Sequence, residues 1–343
     1  MKTLSKYLGL VLPYVVVLSI TPCYADDTLM DFDKMMQSTG LDIDRKKLLA
    51  HEIVVLARAD QESVDSEIAL NMLLYVKAPY EKVIKELHNG ENQLTKYPGA
   101  LAVQIDDPTT PKKYFHKLGF TQNEHKEVET LFAYKEDDTY NLSSAEIVRL
   151  RALANTTKND KTVAAASFYK ELLEERLKRY QTKGIYSIPS YRQSGEKIDV
   201  AKDFTEGSKK LTFLQNWFPL FYKNFLNYPK APVDGYIHKF FWIKDGMEDR
   251  PVFILKHQMV KEEKNVTVIA ERQFFISHGL DALQIGIFCL PYKEGTIIGM
   301  GAQTFTGKVT GFGSFVAHKV GRFQMEQQIK PMFEHLQKKF THK

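Results

Sequence analysis

Cysteine is almost missing from this 343-residue chain: Cys23 and Cys289 are the only two. If Cys23 leaves with a leader peptide, one thiol remains and no internal disulfide can form. That excludes the usual build of a secreted eukaryotic domain and favours a bacterial periplasm. Cys289 lies in the apolar run 285–290, where a buried, inert thiol is expected. Metal-site spacing is missing too. There is no H-E-x-x-H and no paired-cysteine motif, and the ten histidines are scattered. A phosphate loop fails on spacing, because Gly301 and Gly307 have one residue too many between them and Val309 stands where Ser or Thr is required. Gly311-Phe-Gly-Ser314-Phe lacks the second glycine of a nucleophile elbow, so Ser314 and His318 read as the start of a helix. No catalytic residue, metal or cofactor is therefore assigned. The net charge is +5 without any basic block, which speaks against nucleic acid as a partner.

What is present begins with an address. Lys2 and Lys6 precede the apolar stretch 7–20, which is short of the ~20 residues a bilayer span needs. Cys23-Tyr24-Ala25 then offers small residues at the −3 and −1 positions of a cleavage site. Residues 1–25 are read as a cleaved signal peptide, with a lipoprotein anchor on Cys23 as the competing reading. Export to the periplasm follows, and no later run is apolar for long enough to cross a membrane. Losing Lys2 and Lys6 lowers the net charge to +3.

The rest divides by pattern. A helical lead-in covers 26–51. Residues 52–58 and 68–76 read as an antiparallel strand pair, the second with Ile68, Leu70, Met72, Leu74 and Val76 at period two. Ala78-Pro79 then punctuates, and 80–87 reads as a helix with Pro79 at its tolerated position. The stretch from about 107 to 232 is polar and helical. Its capping box Ser143-x-x-Glu146 opens one helix, another spans about 163–180, and a third covers 208–226 with a break near Pro219. Five strands follow between 236 and 306, separated by turn residues, and Gly299, Gly301 and Gly307 suggest bends or bulges. Met325, Ile329, Met332 and Leu336 stripe a final helix from about 319 to 340, with Pro331 inside it. The fold class expected is α+β: a curved antiparallel sheet gripping a long C-terminal helix, with a helical insertion after the first strands.

The segment Leu70-Asn-Met-Leu-Leu-Tyr-Val-Lys-Ala-Pro79, followed by Tyr80-Glu-Lys-Val-Ile-Lys-Glu-Leu87, resembles the opening strand, Ala-Pro break and first helix of the START and Bet v 1-like superfamily. The late meander and last helix are similar to the remainder of that helix-grip fold. The resemblance covers about half of the mature chain, and 52–343 is expected to form one such domain interrupted by the insertion. It implies binding of a hydrophobic or lipid-like molecule between sheet and last helix, and it transfers no specific ligand.

The candidate binding residues lie on strand faces. Val266, Val268, Ala270, Arg272, Phe274 and Ile276 alternate, so Arg272 points where five apolar side chains point. A buried guanidinium needs compensation, either from a ligand's anionic head or from an internal carboxylate, unless that face is exposed. His257 sits with Phe253, Leu255 and Met259, and His238 with Tyr236, Phe240 and Trp242. With Phe274 and Met332, these residues complete the expected ligand site: Arg272, His257, His238, Trp242, Phe274 and Met332. The expected function is periplasmic carriage of a hydrophobic ligand. The competing reading is an envelope interaction module with a filled core, engaging a protein partner.

Overall fold

Strand pairing across the whole chain sets the architecture. The computed structural model describes residues 32–39, 43–56, 62–89, 97–134, 140–158, 160–193, 195–230, 235–247, 249–263, 265–311 and 313–341. The expected signal peptide, residues 1–25 with Cys23, lies outside the described residues. Strands β1 (Val54–Leu56), β2 (Glu67–Val76) and β3 (Leu101–Ile105) come early, and β6 (Ile237–Met247), β7 (Arg250–Glu263), β8 (Val266–Ile276), β9 (Ala282–Tyr292) and β10 (Gly295–Phe305) come late, with a small hairpin, β4 (Tyr191–Gln193) and β5 (Glu196–Ile198), between them. The eight long-range strands form one antiparallel, curved and unclosed sheet in the order β1-β2-β10-β9-β8-β7-β6-β3. The expected α+β class is present, with β2 joined to β10 across more than 200 residues of chain.

Period-two patterning gives this sheet two apolar faces. Ile68, Leu70, Met72, Leu74 and Val76 of β2 share one cluster with Phe241, Ile254, Ile285 and Ile298. Against it lie α3 (Tyr80–Asn89), through Val83, Ile84 and Leu87, and the last helix α10 (Ser314–Thr341), through Met325, Ile329, Phe333 and Leu336. α10 starts five residues earlier than its apolar stripe suggests and continues through Pro331. A proline there costs ~3 kcal/mol, which burial of the side chains on either side of it offsets.

The other face is covered by the insertion. Helices α4 (His125–Phe132), α5 (Ser144–Thr156), α6 (Lys161–Lys183), α7 (Val200–Ser208), α8 (Thr212–Trp217) and α9 (Pro219–Asn227) pack there, after the lead-in helices α1 (Phe32–Thr39) and α2 (Arg45–Leu49). The break before Pro219 is real, and it separates α8 from α9 at Phe218. The Ser143/Glu146 capping box opens α5, and Gly184 ends α6. Buried ion pairs pin α4 and the short turn before it to the sheet: Lys244 to Glu124 at 2.6 Å and Arg250 to Glu127 at 2.7 Å.

Two sequence expectations are corrected here. Gly299 and Gly301 sit in an unbroken ladder and make no bulge. They are small because a Cβ on Gly299 would lie 2.2 Å from the Phe288 ring, and one on Gly301 would lie 2.6 Å from Asn71 Oδ1. The irregularity falls instead between Leu255 and Lys256 on β7, where Lys256 pairs with Gln273 and Leu255 with Phe275. One residue of β8 is skipped there, so Ile276 turns to the α10 face and does not share Arg272's side.

Candidate functional site

Five of the six residues chosen from the sequence meet on the insertion face, and the sixth does not. Arg272 and Phe274 on β8, His257 on β7, and His238 and Trp242 on β6 all point toward the insertion helices. Met332 is on α10 and packs, partly buried, against the opposite cluster. A single chamber lined by all six is therefore ruled out by the register, since the sheet itself stands between them.

Arg272 is completely buried. No Asp or Glu compensates it among the described residues. Nε donates to Gln284 Oε1 at 3.0 Å, and Nη1 donates to the Phe225 carbonyl at 3.0 Å. Phe225 lies in the last turn of α9, where unpaired carbonyls concentrate partial negative charge, so the guanidinium serves as that helix's C-terminal counter-charge. Two aromatic faces complete the shell, Phe225 at 3.7 Å and Phe204 at 5.5 Å from the guanidinium carbon. Burial pulls the Arg272 pKa down, and the Tyr180 hydroxyl opposes that shift. Nη2 alone has no hydrogen-bond partner.

Beside it runs a short polar chain. Tyr180 Oη lies 3.0 Å from His257 Nδ1, and His257 Nε2 lies 3.0 Å from His238 Nδ1. A guanidinium carries only donors, so its field turns the Tyr180 O–H away from itself and toward His257. His257 Nε2–H then donates to His238. Burial, then the neighbouring His238 and Arg272, push the His257 pKa well below the ordinary histidine value; burial lowers that of His238. Neither imidazole touches a carboxylate among the described residues. General acid–base catalysis needs a histidine that titrates near working pH and can reach a substrate. Fully buried His257 is closed off from any substrate by the rings around it.

The chain's own rings occupy the space a ligand would need. Tyr180 from α6 stacks on Phe274 at 3.9 Å between centroids, and Tyr228, just beyond α9, sits over His257 at 4.3 Å and His238 at 5.1 Å. Phe240 closes the other side of His257 at 4.7 Å. Trp242 is fixed by its Nε1–H, which donates to the Tyr114 carbonyl at 2.8 Å. A pocket lined by Arg176, Ser187, Ile188, Pro189 and Phe274 has about 10 Å³, room for a single water. Arg176 itself is committed to Glu146 at 2.6 Å in a buried pair.

A second polar set was missed at the sequence level. On the α10 face, buried Lys256 pairs with Glu271 at 3.2 Å and lies over the Phe241 ring, while Gln273 Oε1 has no partner. Notice of it in the sequence is weak, because Gln258 shares a strand face with Lys256, and Thr267 and Gln273 share one with Glu271, so neither charge stands out on an apolar face. Ser314 opens α10, and His318 is held by Glu62 at 2.9 Å and the Asp65 carbonyl at 2.8 Å. Burial pushes the Cys289 thiol up, which keeps it inert. Among the described residues no cluster of metal-ligating side chains occurs, and no helix is long and apolar enough to cross a membrane. No family model, no curated protein and no solved structure matches the chain.

Proposed function

We propose that this chain is an interaction module of the cell envelope that works through its surface, on a helix-grip scaffold related to the START and Bet v 1-like group. The observation that carries this reading is the occupancy of the insertion face. Arg272 is matched by α9, and the histidines are closed over by Tyr180, Tyr228 and Phe240. Those are the groups a bound amphipathic molecule would otherwise supply: an oxygen acceptor for the guanidinium and apolar area for the rings. A ligand entering here would have to displace α9 and break the Arg272 contact. A fluorescent fatty acid titrated into the protein without vesicles tests this. No saturable one-to-one binding is expected, and stoichiometric uptake would overturn the reading.

A hydrophobic-ligand carrier is the second reading, and one observation favours it. Lys256, Glu271 and Gln273 lie buried on the gripped face, where a ligand's polar head would meet them. In that case the fatty acid binds, and Glu271→Gln weakens it.

A further inference from the structure

Resting on the reading that the chain works through its surface, we infer that the outer face of the first half of α10 docks onto an anionic lipid bilayer. Among the described residues, the exposed large apolar side chains elsewhere (Leu49, Val148, Val163, Tyr186 and Leu220) fall singly on separate elements. On α10 they gather: Phe315 is 77 % exposed, Val316 56 %, Val320 37 % and Phe323 60 %. Val316, Val320 and Phe323 stand at i, i+4 and i+7, one continuous stripe, with Phe315 at its head.

The helix cannot roll to hide this stripe. Its inner side is pinned at the same turns. Gly321 lies against Ile68, where a Cβ would come within 2.4 Å of the side chain. Arg322 Nη1 bonds Glu62 Oε1 at 2.6 Å, and His318 holds Glu62 Oε2 and the Asp65 carbonyl. Exposure of the two phenylalanines is thus a fixed property of the fold.

Charge selects the occupant. From Gly295 to Met325 the chain contains no Asp or Glu, while Lys308, His318, Lys319 and Arg322 fall within it. Glu62, which approaches this half of the helix, is already matched by Arg322 and His318, and Asp65 stands beside it through the carbonyl that His318 holds. Exposed Lys319 lies within the stripe. An apolar helix stripe that holds an exposed lysine and meets no acid until Glu326, one turn past Phe323, fits a surface of acyl chains under phosphate headgroups. The approach is open: Gly311 and Gly313, at φ +83° and +84°, have no atom within 4 Å of where a Cβ would stand. Space is therefore open beside the two glycines that lead into α10.

The experiment is flotation of the purified protein with phosphatidylglycerol/phosphatidylethanolamine vesicles and with phosphatidylcholine vesicles. The double variant F315S/F323S and K319E are run beside it, after circular dichroism and chemical denaturation confirm that both fold. Flotation is expected only with the anionic vesicles, weakening as salt rises, and the double variant should lose at least ~10-fold in partitioning. K319E should bind more weakly. No flotation, or flotation indifferent to these substitutions, would overturn the inference. So would a concentration-dependent dimer that F315S/F323S abolishes, since a second copy would then cover the stripe. Such failure leaves the surface reading standing if the vesicle-free protein still takes up no fatty acid; uptake there would overturn that reading itself.

Discussion

At the scale of single residues, Arg272 shows how far strand alternation reaches. Alternation correctly put a guanidinium among Val266, Val268, Ala270 and Phe274, and burial physics correctly demanded compensation. The compensating group was not legible. It is a helix-end carbonyl 47 residues away in sequence, backed by two aromatic faces, and no side-chain pattern announces a carbonyl. As a ligand anchor, Arg272 would tolerate alanine without loss of stability. As the counter-charge of α9, it should not. Arg272→Ala is expected to cost about 2–4 kcal/mol in chemical denaturation, through a cavity and a stranded carbonyl. Arg272→Met, which keeps volume and removes the buried charge, should cost clearly less. Equal costs would contradict the assignment. Titration adds a second residue-scale test. Burial first, then the neighbouring Asp281 and Asp199, push Asp203 up to about 7. Burial likewise raises Asp281 to about 6. The fold holds these protons more tightly than the unfolded chain does, where a carboxyl titrates near ~3.9. Their stabilising contribution is therefore present below about pH 4 and lost as pH rises through 6 to 7. Asp203→Asn should gain about 1 kcal/mol on the wild type at pH 8 and nothing at pH 4, after discounting for partial solvent screening. Buried His257 and His278 carry the opposite sign. Burial lowers both, His278 to about 3, so their contribution is present above about pH 6.5 and lost on acidification. A pH-independent gap between Asp203→Asn and wild type would refute the coupling.

At the scale of elements, what was legible was local. The Ser143/Glu146 box and the glycine after α6 are short-range signals, and both mark real helix ends. The start of α10 was placed late because Phe315 and Val316 face outward and break the apolar period there. β3 gave little sign of itself. Its five residues are a strand because β6 pairs with them across more than 130 residues of chain, a non-local cause. Gly184 joins two elements at once. It leaves α6 at φ +63°, and a Cβ on it would lie 2.0 Å from the Tyr228 carbonyl at the exit of α9. Gly184→Ala should therefore cost more than ~3 kcal/mol, combining left-handed strain with a collision against backbone. It should also loosen Tyr228 over the two histidines, readable as a shift in their imidazole NMR signals. A silent substitution would mean that the α6–α9 junction is not rigid.

At the scale of the whole molecule, the class and the order of elements followed from period-two strands, a polar helical middle and a terminal stripe. The facing of the sheet did not. Both faces are apolar, so alternation separates the two sets of side chains without telling which receives α10 and which receives the insertion. Arg272 and Met332 consequently looked like parts of one site, and the sheet divides them. The insertion settles the character of the larger apolar face by filling it with Tyr180, Phe204, Phe225 and Tyr228. The account's central claim is that this molecule holds no ligand inside and acts from its surface. Native mass spectrometry with organic extraction, on protein purified from its own source without detergent, tests it most directly. The account predicts the bare mass of the protein and an extract free of stoichiometric lipid; a defined co-purifying mass of lipid size would contradict it.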